Sequence, residues 1–182
     1  MLVVDDEELV ADTYAVLLEN RYETHVDYGG EAALEAVDES VDAVLLDRRM
    51  PDVDGDEVLA RIRDRGLTCK VIMATAVDPD LNILEMDFDD YLCKPIDQET
   101  LVDTLDHHVD STSPAREGLD EFFSLVSKLS VLEAEQTATE LEASAEYDRL
   151  TRRAEELERD LRKDVADFDD IVETYREIDR SS

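Results

Sequence analysis

The chain has 182 residues, enough for one α/β domain of about 110 to 120 residues and a smaller appendage. Its 50 acidic residues against 18 basic ones give a net charge of −32, which repels polyanions and argues against nucleic acid as a partner drawn in by charge. A 43% hydrophobic content with clear periodicity argues against a chain that is disordered throughout.

An excess of carboxylates this large suits a surface that stays hydrated in high salt, where screening shortens charge repulsion to about 3 Å at 1 M. Cys69 and Cys93 fall in apolar runs with no CxxC or histidine pairing, so both are expected to be small core residues in a reducing cytosol. No basic segment precedes an apolar core near the start, and no apolar run approaches about 18 residues. The expectation is a cytoplasmic protein with no membrane partner.

In chain order, Leu2-Val3-Val4 reads as a strand, and Val10, Tyr14, Leu17 and Leu18 follow at helical spacing. The alternation repeats with Thr24-His25-Val26 as a strand, Glu31 to Val37 as a helix, Ala43 to Leu46 as a buried strand, and Val58, Leu59 and Ile62 as a helical stripe. Val71 to Ala74 gives a fourth strand, a short weakly patterned helix falls near Leu81 to Glu85, and Asp90-Tyr91-Leu92 gives a fifth strand. Leu101, Val102, Leu105 and Val109 mark a closing helix. Five such βα units predict an α/β fold: a doubly wound, five-stranded parallel sheet in the order 2-1-3-4-5, with helices on both faces.

Asp110-Ser111-Thr112-Ser113-Pro114 interrupts the pattern with turn-forming residues, so the boundaries are set at 1–110, a linker at 111–116, and a helical segment at 117–182. A heptad register runs through Leu119, Phe122, Val126 and Leu129, is lost over Glu133, Gln136 and Glu140, and resumes from Ala143 through Tyr147, Leu150, Ala154, Leu157, Leu161, Phe168, Ile171, Tyr175 and Ile178. Asp164 is the clear misfit. An all-α hairpin or a coiled coil fits this pattern, with a bend either at Glu133 to Glu140 or near Lys163-Asp164.

Ligands of doubly wound sheets collect beyond the carboxyl ends of the strands, where strand order reverses. Asp5 and Asp6 end the first strand and Asp47 ends the third, its expected neighbour. Clustered carboxylates need a cation, and an oxygen-only donor set suits Mg²⁺. Thr75 after the fourth strand and Lys94 after the fifth add a hydroxyl and a positive charge to the same rim. Read singly these residues mean less: Asp5 to Glu8 also suits the start of a helix, and Tyr91 the edge of a core.

Taken together, Val3-Val4-Asp5-Asp6-Glu7, Leu45-Leu46-Asp47, Met50-Pro51-Asp52-Val53-Asp54-Gly55, Ala74-Thr75-Ala76 and Lys94-Pro95 resemble the receiver domain of two-component response regulators over residues 1 to 110. The resemblance implies that Asp47 is the phosphoacceptor, served by a sensor histidine kinase. It implies that Mg²⁺ is held by Asp6, Asp47 and the backbone carbonyl of Arg49, with Asp5 helping through water. Lys94 would neutralise the phosphoryl charge, and Thr75 and Tyr91 would form a switch in which the tyrosine turns inward after phosphorylation. The short, polar stretch between Thr75 and Lys94 departs from the family pattern and implies a stunted fourth helix. A haloacid-dehalogenase type phosphatase would place a second Asp two residues after the nucleophile, where this chain has Arg49. Slow loss of the phosphoryl group is therefore expected as a signal lifetime, without turnover of an external substrate.

Ser127-Lys128-Leu129-Ser130-Val131-Leu132-Glu133-Ala134-Glu135, followed by Glu140-Leu141-Glu142 and Glu146-Tyr147-Asp148-Arg149-Leu150, is similar to the HalX domain of haloarchaeal response regulators. Residues 111 to 182 hold 20 acidic and 10 basic side chains, a net charge of −10. Arg149, Arg152, Arg153, Arg159, Arg162 and Lys163 are interleaved with Glu155, Glu156, Glu158 and Asp160, the pattern of a salt-bridged, solvated helix face. The expected output is a downstream protein partner or self-association through these helices, with DNA binding as the alternative.

Overall fold

In a computed structural model, residues 1–76, 81–109 and 117–165 are described, together with 168, 169 and 172. The expected linker at 111–116 and the heptad positions Ile171, Tyr175 and Ile178 lie outside the described residues.

Five parallel strands form one sheet in the order β2-β1-β3-β4-β5: β1 (Leu2–Val4), β2 (His25–Asp27), β3 (Ala43–Leu46), β4 (Lys70–Thr75) and β5 (Asp90–Cys93). Val4 lies beside both Asp27 and Leu46, so the carboxyl ends of the three strands are level, and Asp5 and Asp47 emerge side by side. This is the architecture that the sequence predicts.

Helices α1 (Glu8–Leu18) and α4 (Gln98–Val109) cover one face, packing Ala11, Tyr14, Leu18, Leu101 and Leu105 on Val3, Leu45, Ile72 and Leu92. Helices α2 (Gly30–Ala36) and α3 (Gly55–Asp64) cover the other, where Ala33, Val58, Leu59 and Ile62 meet Leu2, Val4, Val44, Leu46, Val71 and Met73. The β4-to-β5 crossover, normally an α-helix, holds only a 3-10 turn at Leu81–Glu85 among its described residues.

The third place on the α2/α3 face is filled from farther along the chain. Helix α5 (Glu117–Glu135) packs along β5, the edge strand, and over the 3-10 turn. Leu125, Leu129 and Leu132 join Ile83, Leu84, Phe88 and Tyr91 in the same apolar cluster as α2 and α3. Each such leucine contributes about 1.5–3 kcal/mol when fully buried, and a covered edge strand is blunted against pairing with other chains.

The chain then turns through α6 (Ala138–Glu142) into α7 (Ala145–Asp164), which runs back along α5. Glu121 pairs with Arg153 and Glu133 with Tyr147, fixing the antiparallel direction. Of the two forms anticipated, the hairpin is the one formed, with its bend at the Glu133 to Glu140 stretch. The Glu140 carboxylate accepts the Thr137 backbone N–H at 3.0 Å, and the Ser144 hydroxyl caps α7 by accepting the Tyr147 N–H at 3.2 Å. Helix α7 ends at Asp164, the heptad misfit.

Two expectations need correction. Cys69 is buried, but Cys93 is exposed, because it is the last residue of β5 and leaves the sheet at its edge. Helix α5 buries Phe123, Leu125 and Leu132 besides heptad positions Leu119, Phe122 and Leu129. One stripe serves one partner helix, whereas α5 is wedged between α7 and the sheet.

Candidate functional site

The loop between β3 and α3 is tightly determined. Asp52 adopts a positive φ of 67°, a conformation Asp tolerates better than most residues. Asp54 then caps α3 by accepting the Glu57 N–H at 2.9 Å. The next residue, Gly55, lies so close to the strand end that a Cβ there would sit 2.3 Å from the Asp47 carbonyl oxygen, and its N–H donates to the Arg48 carbonyl at 2.8 Å. The Met50 to Gly55 motif therefore holds the backbone that carries Asp47.

Asp5 and Asp47 are buried, with 2% and 6% of their surfaces exposed. The Lys94 ammonium lies between them, donating to Asp5 Oδ2 at 2.5 Å and to Asp47 Oδ1 at 2.7 Å. The remaining oxygens accept backbone donors: Asp5 Oδ1 from Glu7 N–H and Asp47 Oδ2 from Arg49 N–H, each at 2.9 Å. Burial pushes the Asp47 carboxyl above its usual range, against the hydrogen bond and charge of Lys94. Burial also works against the charge of Lys94, but its hydrogen bonds to Asp47 and Asp5 outweigh this and raise the ammonium pKa. Two buried carboxylates share one ammonium, so the cluster keeps a net negative charge.

Thr75 is buried at the end of β4, and its carbonyl accepts the Lys94 N–H at 2.9 Å. Tyr91 is 3% exposed, packed in the apolar cluster that α5 joins, with its hydroxyl hydrogen-bonded to Arg48. Asp6 and Arg49 are exposed, and Asp6 opens onto a cleft lined by Tyr28, Gly29, Pro51 and Asp52. Among the described residues no three His, Cys, Asp or Glu side chains converge as ready metal ligands. Asp5, Asp47 and Lys94 are brought together as expected, and the Asp6 side chain is exposed on the adjoining cleft. The oxygen-only donors and residual negative charge nonetheless suit a hard divalent cation such as Mg²⁺.

Several residues around the site were not anticipated. Arg48, next to Asp47, is fully buried and paired with Asp56 through Nε at 2.8 Å and Nη2 at 3.1 Å. Burial disfavours its charge, but the Asp56 carboxylate overrides this and holds the guanidinium firmly protonated. Asp90 is also buried, accepting from Tyr91 N–H and Ser127 Oγ and facing His108 Nε2 at 2.9 Å. Arg48 stands in Asp47-Arg48-Arg49 and Asp90 follows Asp89, so the local sequence signals neither burial nor partner.

A buried Asp-Asp-Lys cluster at the carboxyl edge of a 2-1-3-4-5 parallel sheet defines a receiver domain. The family model described as the response regulator receiver domain matches residues 1–106, and that of the HalX domain matches residues 112–179. The chain thus belongs to the response regulator receiver family, with a HalX domain following the receiver. A Haloferax volcanii protein, provisionally named a transcriptional regulator, is 41% identical over 188 aligned positions, taking in 100% of this chain and 32% of that protein. CutR of Streptomyces coelicolor, named a transcriptional regulatory protein, is 42% identical over 100 residues, covering 52% of this chain and 46% of its own length. A CheY-like receiver domain protein from Methanospirillum hungatei superposes with a TM-score of 0.54 at 26% identity, covering 60% of this chain and 92% of that one. The chain spans between about a third and a half of the length of these curated relatives. Among the described residues no helix is long and apolar enough to cross a membrane.

Proposed function

We propose that this chain is a phosphorelay response regulator in which Asp47 accepts a phosphoryl group from the phosphohistidine of a sensor histidine kinase. The observation that carries this reading is the Lys94 ammonium held between buried Asp5 and Asp47 at the strand ends. An Asp47 oxygen forms the new P–O bond as the P–N bond breaks and the imidazole leaves. Such a transfer needs positioning and charge neutralisation more than acid-base chemistry. Lys94 supplies a cation on the attacking side, and the Arg49 N–H fixes the carboxylate plane. Asp6, Asp47 and the Arg49 carbonyl would hold Mg²⁺, with Asp5 assisting through water. Bound there, Mg²⁺ supplies further neutralisation of the phosphoryl oxygens. Thr75, buried at the end of β4, would donate its hydroxyl to a phosphoryl oxygen, a charge-assisted bond of about 1.5–3 kcal/mol. Loss of the phosphoryl group by hydrolysis ends the signal, and no external substrate is turned over.

The receiver reports to the helical segment, which acts on a protein partner or on a second copy of the chain. The name of the Haloferax volcanii relative, a transcriptional regulator aligned over the whole chain, supports a second reading in which these helices bind DNA. Against it, Arg149, Arg153 and Arg162 are engaged by Glu146, Glu121, Glu158 and Asp169 on an acidic segment.

The test is incubation with Mg²⁺ and acetyl phosphate in high salt, followed by intact mass of the wild type and Asp47→Asn. A gain of about 80 Da, one phosphoryl group, in the wild type alone is expected; no gain from any phosphodonor by folded protein would overturn the reading. Salt-dependent retention of duplex DNA by the phosphorylated chain would move the output to the second reading.

A further inference from the structure

Arg48 directly follows Asp47 in the chain and is completely buried. A guanidinium stays buried only where its donors meet acceptors. Here two groups meet it: the Asp56 carboxylate takes Nε and Nη2, and the Tyr91 hydroxyl makes a further hydrogen bond. The Arg48 carbonyl is held by Gly55, so the residue that grips Tyr91 is rigidly part of the Asp47 loop.

The contacts continue outward from Tyr91. Its ring lies against Phe88, with centroids 5.7 Å apart. Phe88 is in turn held by α5: its carbonyl accepts the Ser124 hydroxyl at 2.8 Å, and the Lys128 ammonium stands 4.6 Å above its ring. Lys128 also donates to the Met86 carbonyl at 2.6 Å. An unbroken line of packed groups therefore runs from Asp47 to α5, in the place left by the short crossover.

We propose that Arg48 is a positioning residue that holds Tyr91 inward against Phe88 and so couples the phosphoacceptor loop to the docking of α5. The proposal rests on the response regulator reading of Asp47. A purely structural Arg48 would pin β3 to α3 through Asp56 and leave Tyr91 indifferent to its loss. A coupling Arg48 makes the guanidinium and the tyrosine hydroxyl act as one unit, because each is the other's partner.

The test uses the full-length chain in high salt, with Arg48→Met, Tyr91→Phe and the double variant. Tyr91→Phe keeps the ring and deletes only the hydroxyl, so it stays informative if Arg48→Met folds poorly. Amide exchange is followed by mass spectrometry over residues 124–132 of α5, with the α1 amides as the reference for global unfolding. Phosphorylation by acetyl phosphate is measured in parallel. The expected result is that each single variant raises α5 exchange about tenfold relative to α1, as loss of a buried hydrogen bond to a charged group should. The double variant should add little to either, and phosphoryl uptake should persist.

Unchanged α5 exchange in Tyr91→Phe, or additive effects in the double variant, would overturn the coupling. A wild type that takes up no phosphoryl group while the exchange pattern appears as expected would overturn the parent reading and leave the contact line standing.

Discussion

The Ser127 hydroxyl donates to Asp90 Oδ1 at 2.6 Å, a bond that crosses from the first C-terminal helix to the edge strand of the sheet. His108 on α4 holds the other oxygen of the same carboxylate. One buried acid thus ties three successive elements, β5, α4 and α5, across the seam. Removing one partner of a buried, charged hydrogen bond costs about 1–3 kcal/mol. Ser127→Ala should lower the stability of the whole chain by that amount in urea unfolding at high salt. A change confined to the C-terminal helices would show that the seam carries no such bond.

The same carboxylate sets an acid limit. Burial works against its charge, but the hydrogen bonds from His108 and Ser127 overcome this and hold Asp90 below its usual range. A carboxylate depressed in the folded state contributes stability that is present above the unfolded value, about pH 4, and is lost as pH falls through the folded value. Asp90→Asn should therefore flatten the acid limb of a stability curve below about pH 4, while remaining less stable than wild type at pH 7. Identical acid limbs for the two proteins would contradict the assignment.

Gly55 has a separate consequence. An added methyl group would meet the Asp47 carbonyl oxygen at 2.3 Å and the Arg48 Cα at 2.8 Å, both rigid backbone atoms. Gly55→Ala should cost about 1–3 kcal/mol or more, and it should slow phosphoryl uptake by displacing Asp47. Wild-type stability and uptake rate in this variant would show that the loop yields.

The apolar seam can be probed by size. Leu132 is fully buried in the cluster that also holds Ile83, Phe88 and Tyr91. Leu132→Ala should cost about 2–5 kcal/mol, with the sheet and the C-terminal helices still melting in one transition. A chain ended at residue 110 should bind a hydrophobic dye and unfold at markedly lower denaturant than the full chain. Two separate transitions in the full chain would mean that the seam is weak.

Much of this architecture can be read from the residues because strand ends announce themselves. Val3-Val4 followed by Asp5, and Leu45-Leu46 followed by Asp47, are abrupt changes from buried to ionised side chains. A parallel sheet has only one edge on which to gather them. Lys94 is drawn to the same place by charge. Arg48 was opaque for the opposite reason, since Arg48-Arg49 reads as a polar pair and nothing local says that the first turns inward and the second outward. The α5 segment reads as a helix, and its heptads imply one partner. Phe123, Leu125 and Leu132 lie off that register, but sequence periodicity does not identify the surface an extra apolar face will meet.

The short crossover between β4 and β5 leaves a berth on the sheet that the chain fills with its own C-terminal helix. Such a receiver is not a portable cassette. Exchange of the helical segment for another would uncover Phe88 and Tyr91, so this receiver depends on the chain's own helices for a closed core.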